Sequence, residues 1–307
     1  MSEEGEAQVE RVNELPKLAP RKRDGHKGSY GRVLVIGGSS GMVGAVALAA
    51  NSAYRAGAGL VMFAAPESVQ HTIAALAPCA TSAGLACTSD GDLLPDAERQ
   101  LADIAGKADV LAVGPGFGVG EAQKRLVCWV LDQERPAVID ADALNNLAQL
   151  TGWTSVRKCP AVLTPHPGEF ARLTGAEIGD VQADREVAAV RAVRDWAGGA
   201  DVEHAPLVCV LKGAGTVVTD GTRVYVNETG NPGLASGGTG DVLTGVVAAL
   251  IGQGLSPFDA ACLGAHVHGL AGDLAAGELG EISLMASDLI DYLPPAVRET
   301  HADAGDD

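Results

Sequence analysis

Short apolar runs, many of them β-branched, recur along the chain, and most are followed by a stretch with helical spacing. The first is Val33-Leu34-Val35-Ile36, followed by a glycine turn and an alanine-rich helix predicted from Met42 to Ala56 and stopped at Gly57. Leu60 to Ala64, Val110 to Val113, Ala137 to Ile139, Ala161 to Leu163 and Leu207 to Leu211 continue the pattern. Because these runs lack polar alternation, both faces of each strand must be buried. Strands alternating with helices then require a parallel sheet covered on both sides. The expected fold class is therefore α/β, a three-layer α/β/α sandwich with a mostly parallel central sheet. Asp220-Gly221, between Thr216 to Thr219 and Arg223 to Val226, is a hairpin signal that adds an antiparallel edge or flap. From Asp241 the chain reads as largely helical to Val297.

With 307 residues, 47% hydrophobic composition and 40 glycines, a sizeable core is within reach. No repeat and no Pro- or Ser-rich linker divides the chain. The expected organisation is a loosely ordered arm over 1–26, one domain over 27–298, and an acidic tail over 299–307. The arm's basic patch Arg21-Lys22-Arg23 reads as solvated.

A formal net charge of −17 argues against a nucleic-acid or anionic-membrane binder, which needs clustered Lys and Arg on one face. An anionic ligand must be held locally, by glycine loops and helix N-termini. The six cysteines show no CxxC pair and no compact disulfide spacing, which suits reduced, buried thiols. The first residues form no signal peptide, and no apolar run approaches the ~20 residues a membrane span needs. A cytoplasmic location is the expectation.

The most informative segment is Asn231-Pro232-Gly233-Leu234-Ala235-Ser236-Gly237-Gly238-Thr239-Gly240-Asp241, followed at once by an apolar helix. Exposed backbone N–H groups and the positive end of a helix suit Gly237, Gly238, Thr239 and Gly240 to hold a phosphate and its developing charge. Asp241 has two readings that spacing leaves open: a base accepting a proton from an attacking hydroxyl, or an N-cap.

Thr164-Pro165-His166-Pro167-Gly168-Glu169 follows a strand and emerges where open α/β sheets bind ligands. His166 and Glu169 are candidates for substrate contact, or for supporting a helix start. Val113-Gly114-Pro115-Gly116-Phe117-Gly118 makes a similar turn, which alone is weak evidence. Leu211-Lys212-Gly213-Ala214-Gly215-Thr216 ends a strand and suits a nucleotide's phosphate or sugar, although Lys212 also reads as a surface charge.

Other motifs are absent. Ile36-Gly37-Gly38-Ser39-Ser40-Gly41 lacks GxGxxG spacing and the acidic residue about 20 positions on, which disfavours a Rossmann dehydrogenase. There is no P-loop, no HExxH zinc motif and no GxSxG elbow. His266 and His268, two apart in a predicted helix, face different sides and read as structural.

Taken together, the chain resembles the NAD(P)H-hydrate dehydratase family, carbohydrate-kinase-related relatives of ribokinase, from about Lys27 to Pro295. The carrying motifs are Gly31-Arg32-Val33-Leu34-Val35-Ile36-Gly37-Gly38, Gly114-Pro115-Gly116-Phe117-Gly118, Asp140-Ala141-Asp142-Ala143-Leu144-Asn145, Thr164 to Glu169 and Gly230 to Asp241. Phe117, Leu234 and Ser236 stand where leucine, methionine and threonine are commoner, and each keeps size or polarity.

The resemblance implies a ribokinase-like fold and a lyase of nicotinamide-nucleotide repair, which dehydrates the S epimer of NADHX or NADPHX to NADH or NADPH. Asp241 would activate the hydrate's C6 hydroxyl for attack on the terminal phosphate of a nucleotide, ADP rather than ATP, accompanied by Mg2+. Phosphorylation turns a poor leaving group into a good one. The substrate would lie near Ala45, Gly116, His166 and Asp241, and the nucleotide along Lys212, Gly213, Ala214, Gly215 and Thr216 and at Gly240. The resemblance also implies a homotetramer. No room is expected for the epimerase domain that precedes this one in many relatives, so a separate epimerase or spontaneous epimerisation would supply the S form.

Two other readings are a vitamin or sugar kinase on the same scaffold and a nucleotide sensor without turnover. A stable phosphorylated product would mark the kinase. Asp241 speaks against a sensor, since binding phosphate gains nothing from an added negative charge.

Overall fold

The structure is a computed structural model and describes residues 9–198 and 205–300. Its chain order is β1 (Glu10–Arg11), β2 (Arg32–Ile36), α1 (Val43–Arg55), β3 (Leu60–Pro66), α2 (Glu67–Leu76), β4 (Thr81–Leu85), α3 (Asp96–Ala105) and β5 (Val110–Val113). There follow α4 (Glu121–Leu131), β6 (Ala137–Ile139), α5 (Ala141–Leu147), α6 (Trp153–Val156), β7 (Ala161–Leu163), α7 (Pro167–Thr174), α8 (Ile178–Ala183) and α9 (Arg185–Ala197). The chain closes with β8 (Leu207–Leu211), β9 (Val217–Thr219), β10 (Arg223–Val226), α10 (Thr239–Gly252), α11 (Pro257–Leu279) and α12 (Ala286–Glu299).

One sheet runs in the order β1-β10-β9-β8-β7-β6-β5-β2-β3-β4. Its strands are parallel except for β9, which is antiparallel to both β8 and β10. The turn at Asp220-Gly221 therefore makes the expected antiparallel feature, with the Asp220 carboxylate accepting from the backbone N–H groups of Thr222 and Arg223. The alternation of side chains along each central strand divides the core in two. Val33, Val35, Val110, Val138 and Val162 face a layer built from α1, α10, α11 and α12. Leu34, Ile36, Leu111, Ile139 and Leu163 face the opposite layer, which includes α3, α4, α5, α7 and α9. This is the three-layer α/β/α sandwich with a mostly parallel sheet that the sequence predicts.

Helices α1 and α10 approach until backbones touch. A Cβ on Gly245 would stand 2.1 Å from both the carbonyl oxygen of Ala49 and the hydroxyl of Ser52. That closeness fixes where α10 begins, directly over the carboxyl ends of the central strands.

Two regions depart from expectation. From Val9 the arm is laid against the domain: β1 pairs with β10 and Leu18 is buried, because a short edge pairing and one apolar anchor suffice to dock it. Residues 1–8 of that arm and 301–307 of the acidic tail lie outside the described residues. The six cysteines are free, and Cys159, Cys209 and Cys262 are buried, but Cys79 is exposed at the end of the turn after α2.

Candidate active site at the carboxyl edge of the sheet

Three strands, β6, β7 and β8, end side by side, and the residue following each is polar: Asp140, Thr164 and Lys212. Asp140 is 1% exposed, so its charge must be compensated in place. It accepts hydrogen bonds from Thr164 Oγ1 at 2.7 Å, Lys212 Nζ at 2.8 Å and Thr244 Oγ1 of α10 at 2.7 Å. The next residue, Ala141, has φ of +49° and is the one non-glycine with positive φ among the described residues. Such a backbone costs roughly 1–3 kcal/mol and survives only where its surroundings hold it.

Lys212 reads two ways from sequence, and the surface-charge reading is corrected here. Its ammonium is largely buried, bonded to Asp140 and 3.9 Å from Glu169 Oε2. Burial alone would lower its proton affinity, but Asp140 and Glu169 outweigh burial and raise it, so the lysine is charged. The ammonium lies against Gly240, where a Cβ would stand 3.1 Å from Nζ and 3.8 Å from Asp140 Oδ2. Glycine at 240 lets the cation lie against the first turn of α10, where a larger residue would make it shift.

The cap reading of Asp241 is also corrected. The N-cap of α10 is Gly238, with φ of +95°, and Asp241 is the third residue of the helix. Among the described residues its carboxylate makes no hydrogen bond, leaving it available. Burial first, then the neighbouring charge of Asp140, push its pKa up to about 7, against the pull of Lys212. Glu169 is likewise pushed up to about 7, chiefly by burial. Three carboxylates thus share one lysine, and two of them sit near neutrality.

Gly237 to Gly240 lead into α10, as the sequence predicts. Thr239 fastens this loop by donating its hydroxyl to the carbonyls of Leu234 and Ser236. On α11, His268 Nε2 lies 2.8 Å from the Thr239 carbonyl; because that oxygen can only accept, Nε2 carries the proton and donates. Burial pushes its pKa down to about 4, so it is neutral. Sequence reasoning treats His268 as structural and gives no hint of its partner; the i+2 spacing to His266 hides it.

Lys212, Gly213, Ala214, Gly215, Thr216 and Gly240 line one cavity of about 470 Å³, with His268 and Thr239 in the same wall. The opposite wall is the loop from Asn227 to Pro232, pinned by Asp273, whose carboxylate accepts from Gly230 N at 2.8 Å and Asn231 Nδ2 at 2.9 Å.

On the other side, Ala45 and Gly116 meet. A Cβ on Gly116 would lie 3.2 Å from the Ala45 Cβ and 2.6 Å from the Met42 carbonyl oxygen, with φ of +59°. His166 caps α7: its Nδ1 accepts from Gly168 N at 2.9 Å and Glu169 N at 3.3 Å, while Glu169 Oε2 accepts from His166 N at 2.8 Å. The cap reading of this pair therefore holds. Nδ1 is an acceptor, so the half-exposed Nε2 carries the ring proton as a donor while the ring is neutral. Burial, then Lys212, lower its pKa. Among the described residues no three His, Cys, Asp or Glu side chains converge to hold a metal ion, and no helix is long and apolar enough to cross a membrane.

An open, mostly parallel sheet with a glycine-led helix start and a charged cluster at its carboxyl edge places the chain among α/β enzymes of the ribokinase-like type, as the match to a solved dehydratase structure bears out. Within that class the profile of the NAD(P)H-hydrate dehydratase family matches residues 33–295. The chain is 47% identical over 285 residues to the bifunctional NAD(P)H-hydrate repair enzyme Nnr of Moorella thermoacetica, covering 92% of this chain and 52% of that relative. It is 38% identical over 303 residues to the enzyme of the same name from Escherichia coli, covering 94% and 52%. It thus spans about half the length of these curated relatives. The ADP/ATP-dependent NAD(P)H-hydrate dehydratase of Bacillus subtilis, crystallised with ATP and Mg2+, matches with a TM-score of 0.79 at 33% identity, over 93% of this chain and 95% of that one. The chain belongs to the NAD(P)H-hydrate dehydratase family, a family of enzymes.

Proposed function

We propose that this chain uses ADP or ATP to dehydrate the S epimer of NADHX and NADPHX, with Asp241 as the base. The observation that carries the reading is the Asp241 carboxylate: without a hydrogen bond among the described residues, pushed up to about 7, and under the pull of the Lys212 ammonium at the start of a glycine-led helix. A base with its pKa near neutrality combines a useful ionised fraction with a strong pull on a proton.

Asp241 takes the proton of the C6 hydroxyl as that oxygen attacks the terminal phosphorus, and the bond to the departing nucleotide breaks. The ring nitrogen's lone pair then expels the phosphate from C6. Loss of the C5 proton to solvent water forms the C5–C6 double bond and returns the lone pair to nitrogen, giving reduced nicotinamide and inorganic phosphate.

Backbone N–H groups of Gly237, Gly238, Thr239 and Gly240 hold the charge on the transferring phosphoryl group. The nucleotide lies along Lys212 to Thr216 and reaches Gly240, in the cavity those residues line. The substrate lies by Ala45, Gly116 and His166, whose Nε2–H is a donor. Mg2+ brought with the nucleotide would neutralise phosphate charge while needing few protein ligands. The same reading includes a cytoplasmic homotetramer and a separate or fused epimerase acting on the other hydrate epimer.

The test follows near-ultraviolet absorbance of reduced nicotinamide on mixing protein, hydrated NADH and magnesium with ADP, ATP or no nucleotide. Recovery that requires a nucleotide supports the reading and identifies the donor. No recovery with either donor refutes it.

A further inference from the structure

We propose that Asp140 is a positioning residue that locks the Lys212 ammonium against the first turn of α10, fixing phosphate-facing cation and Asp241 in one geometry. The inference rests on the functional reading above and assigns a role to a residue that touches neither substrate nor nucleotide in that reading.

Four observations converge on it. Asp140 is 1% exposed, and each of its three side-chain partners comes from a different segment: Thr164 after β7, Lys212 after β8 and Thr244 on α10. Its oxygens are divided, Oδ1 taking Thr164 and Lys212 and Oδ2 taking Thr244 on the helix that carries Asp241. Thr244 lies one turn beyond Gly240 and also approaches the Gly240 carbonyl at 3.2 Å, so the Oδ2 bond anchors the stretch of helix that carries Asp241. The chain is strained at Ala141, directly after Asp140, and glycine at 240 lets the Lys212 ammonium lie close to the helix backbone.

A charged group also acts on its neighbours through space. The groups acting on Asp241 are Asp140 after β6, Lys212 after β8, Asp142 on α5 and Glu169 on α7. Asp140 is the foremost of the charges that hold the Asp241 proton on, and the foremost of those that keep Lys212 charged. Removing its charge therefore lowers the proton affinity of both. If Asp241 must be ionised and Lys212 protonated, the acid and alkaline limbs of the kcat/KM profile both move to lower pH.

The test compares wild type, Asp140→Asn, Asp140→Glu and Thr244→Val, with thermal melts to establish folding. ATP affinity is read by calorimetric titration with magnesium, and kcat/KM for the hydrate is read against pH. Asp140→Asn is expected to bind ATP about tenfold more weakly, as suits loss of a charge-assisted hydrogen bond. It should lose roughly 100-fold in kcat/KM through misplacement and show both limbs displaced downward. Asp140→Glu keeps the charge but displaces the carboxylate, so it weakens ATP binding while the limbs stay; it carries the test should the asparagine variant not fold. Thr244→Val leaves every charge in place, and its profile keeps its shape with a smaller loss of rate.

Folded Asp140→Asn protein with wild-type ATP affinity and unmoved limbs would overturn the proposal. So would recovery of that variant by added magnesium, which would mark Asp140 as a metal ligand. Wild-type protein that binds ATP but leaves the hydrate untouched would refute the proposed function, and the ATP titrations would still decide the role of Asp140.

Discussion

The two ends of the same sheet handle charge in opposite ways. At the amino ends, single charges meet single partners or backbone groups: Lys158 pairs with Asp132 at 2.6 Å on the surface, and the Asp109 carboxylate accepts from the backbone N–H of Arg32. The buried Arg157 guanidinium donates from Nη1 to the carbonyls of Cys159, Ala205 and Pro206, while its buried Nε and Nη2 find no partner among the described residues. At the carboxyl ends, Asp140, Glu169 and Asp241 share Lys212, the backbone at Ala141 is strained, and two carboxylates sit near pH 7. Both ends bury charge, so burial alone does not mark the site. The unequal count of carboxylates and cations does, because an excess of like charge is tolerated where chemistry uses it.

Asp241→Asn breaks the comparison most severely. The fold should persist, since the residue caps nothing, and turnover should fall by about 10²- to 10⁴-fold, as removal of a general base does. Steady-state rates on folded protein check this, and near-normal turnover would remove Asp241 from the mechanism.

Gly240→Ala attacks the same end through space. The added methyl meets Lys212 Nζ at 3.1 Å, so nucleotide affinity should drop by roughly tenfold, the scale of one charge-assisted hydrogen bond, in a titration against ATP.

Much of this architecture is legible in the sequence. The central strands from β2 to β8 announce themselves by unbroken apolar runs, except β4, whose Thr81-Ser82-Ala83-Gly84-Leu85 is small and polar because it lies at the sheet edge. β1 is only two residues long and is stabilised by pairing with β10, more than 200 positions away, so no local pattern reveals it. The glycine-led start of α10 and the His166–Glu169 cap are local, and their spacing shows them. The roles of Asp140 and His268 arise from convergence across β6, β8, α10 and α11, which spacing cannot express.

At the amino end, Arg157→Met should cost stability and leave rate alone. The carbonyls of Cys159 and Ala205 lose the Nη1 donor while Pro206 keeps the Ala161 N–H, a loss worth about 1–3 kcal/mol in a denaturant titration, and turnover per folded molecule stays at the wild-type value. A large loss of rate there would dissolve the distinction between the ends.

Titration sharpens the same contrast. Asp241 and Glu169 have folded pKa values of about 7, above the ordinary carboxylate value, so the folded state holds protons that the unfolded state releases. Their contribution to stability is fully present below about pH 4 and is lost as pH rises through about 7. Asp241→Asn and Glu169→Gln should therefore melt higher than wild type at pH 8, with the advantage shrinking toward pH 4. Lys158→Ala, at an exposed pair, should leave both melting temperature and rate unchanged.

The most direct measurement of the central claim is the stoichiometry of the reaction, with reduced nicotinamide read by absorbance and inorganic phosphate by a coupled assay in one time course. Nucleotide-driven dehydration predicts one phosphate released for each reduced nicotinamide formed, with no phosphorylated hydrate accumulating. Nucleotide consumed with a stable phosphorylated product and no gain in absorbance would contradict it and make the chain a kinase.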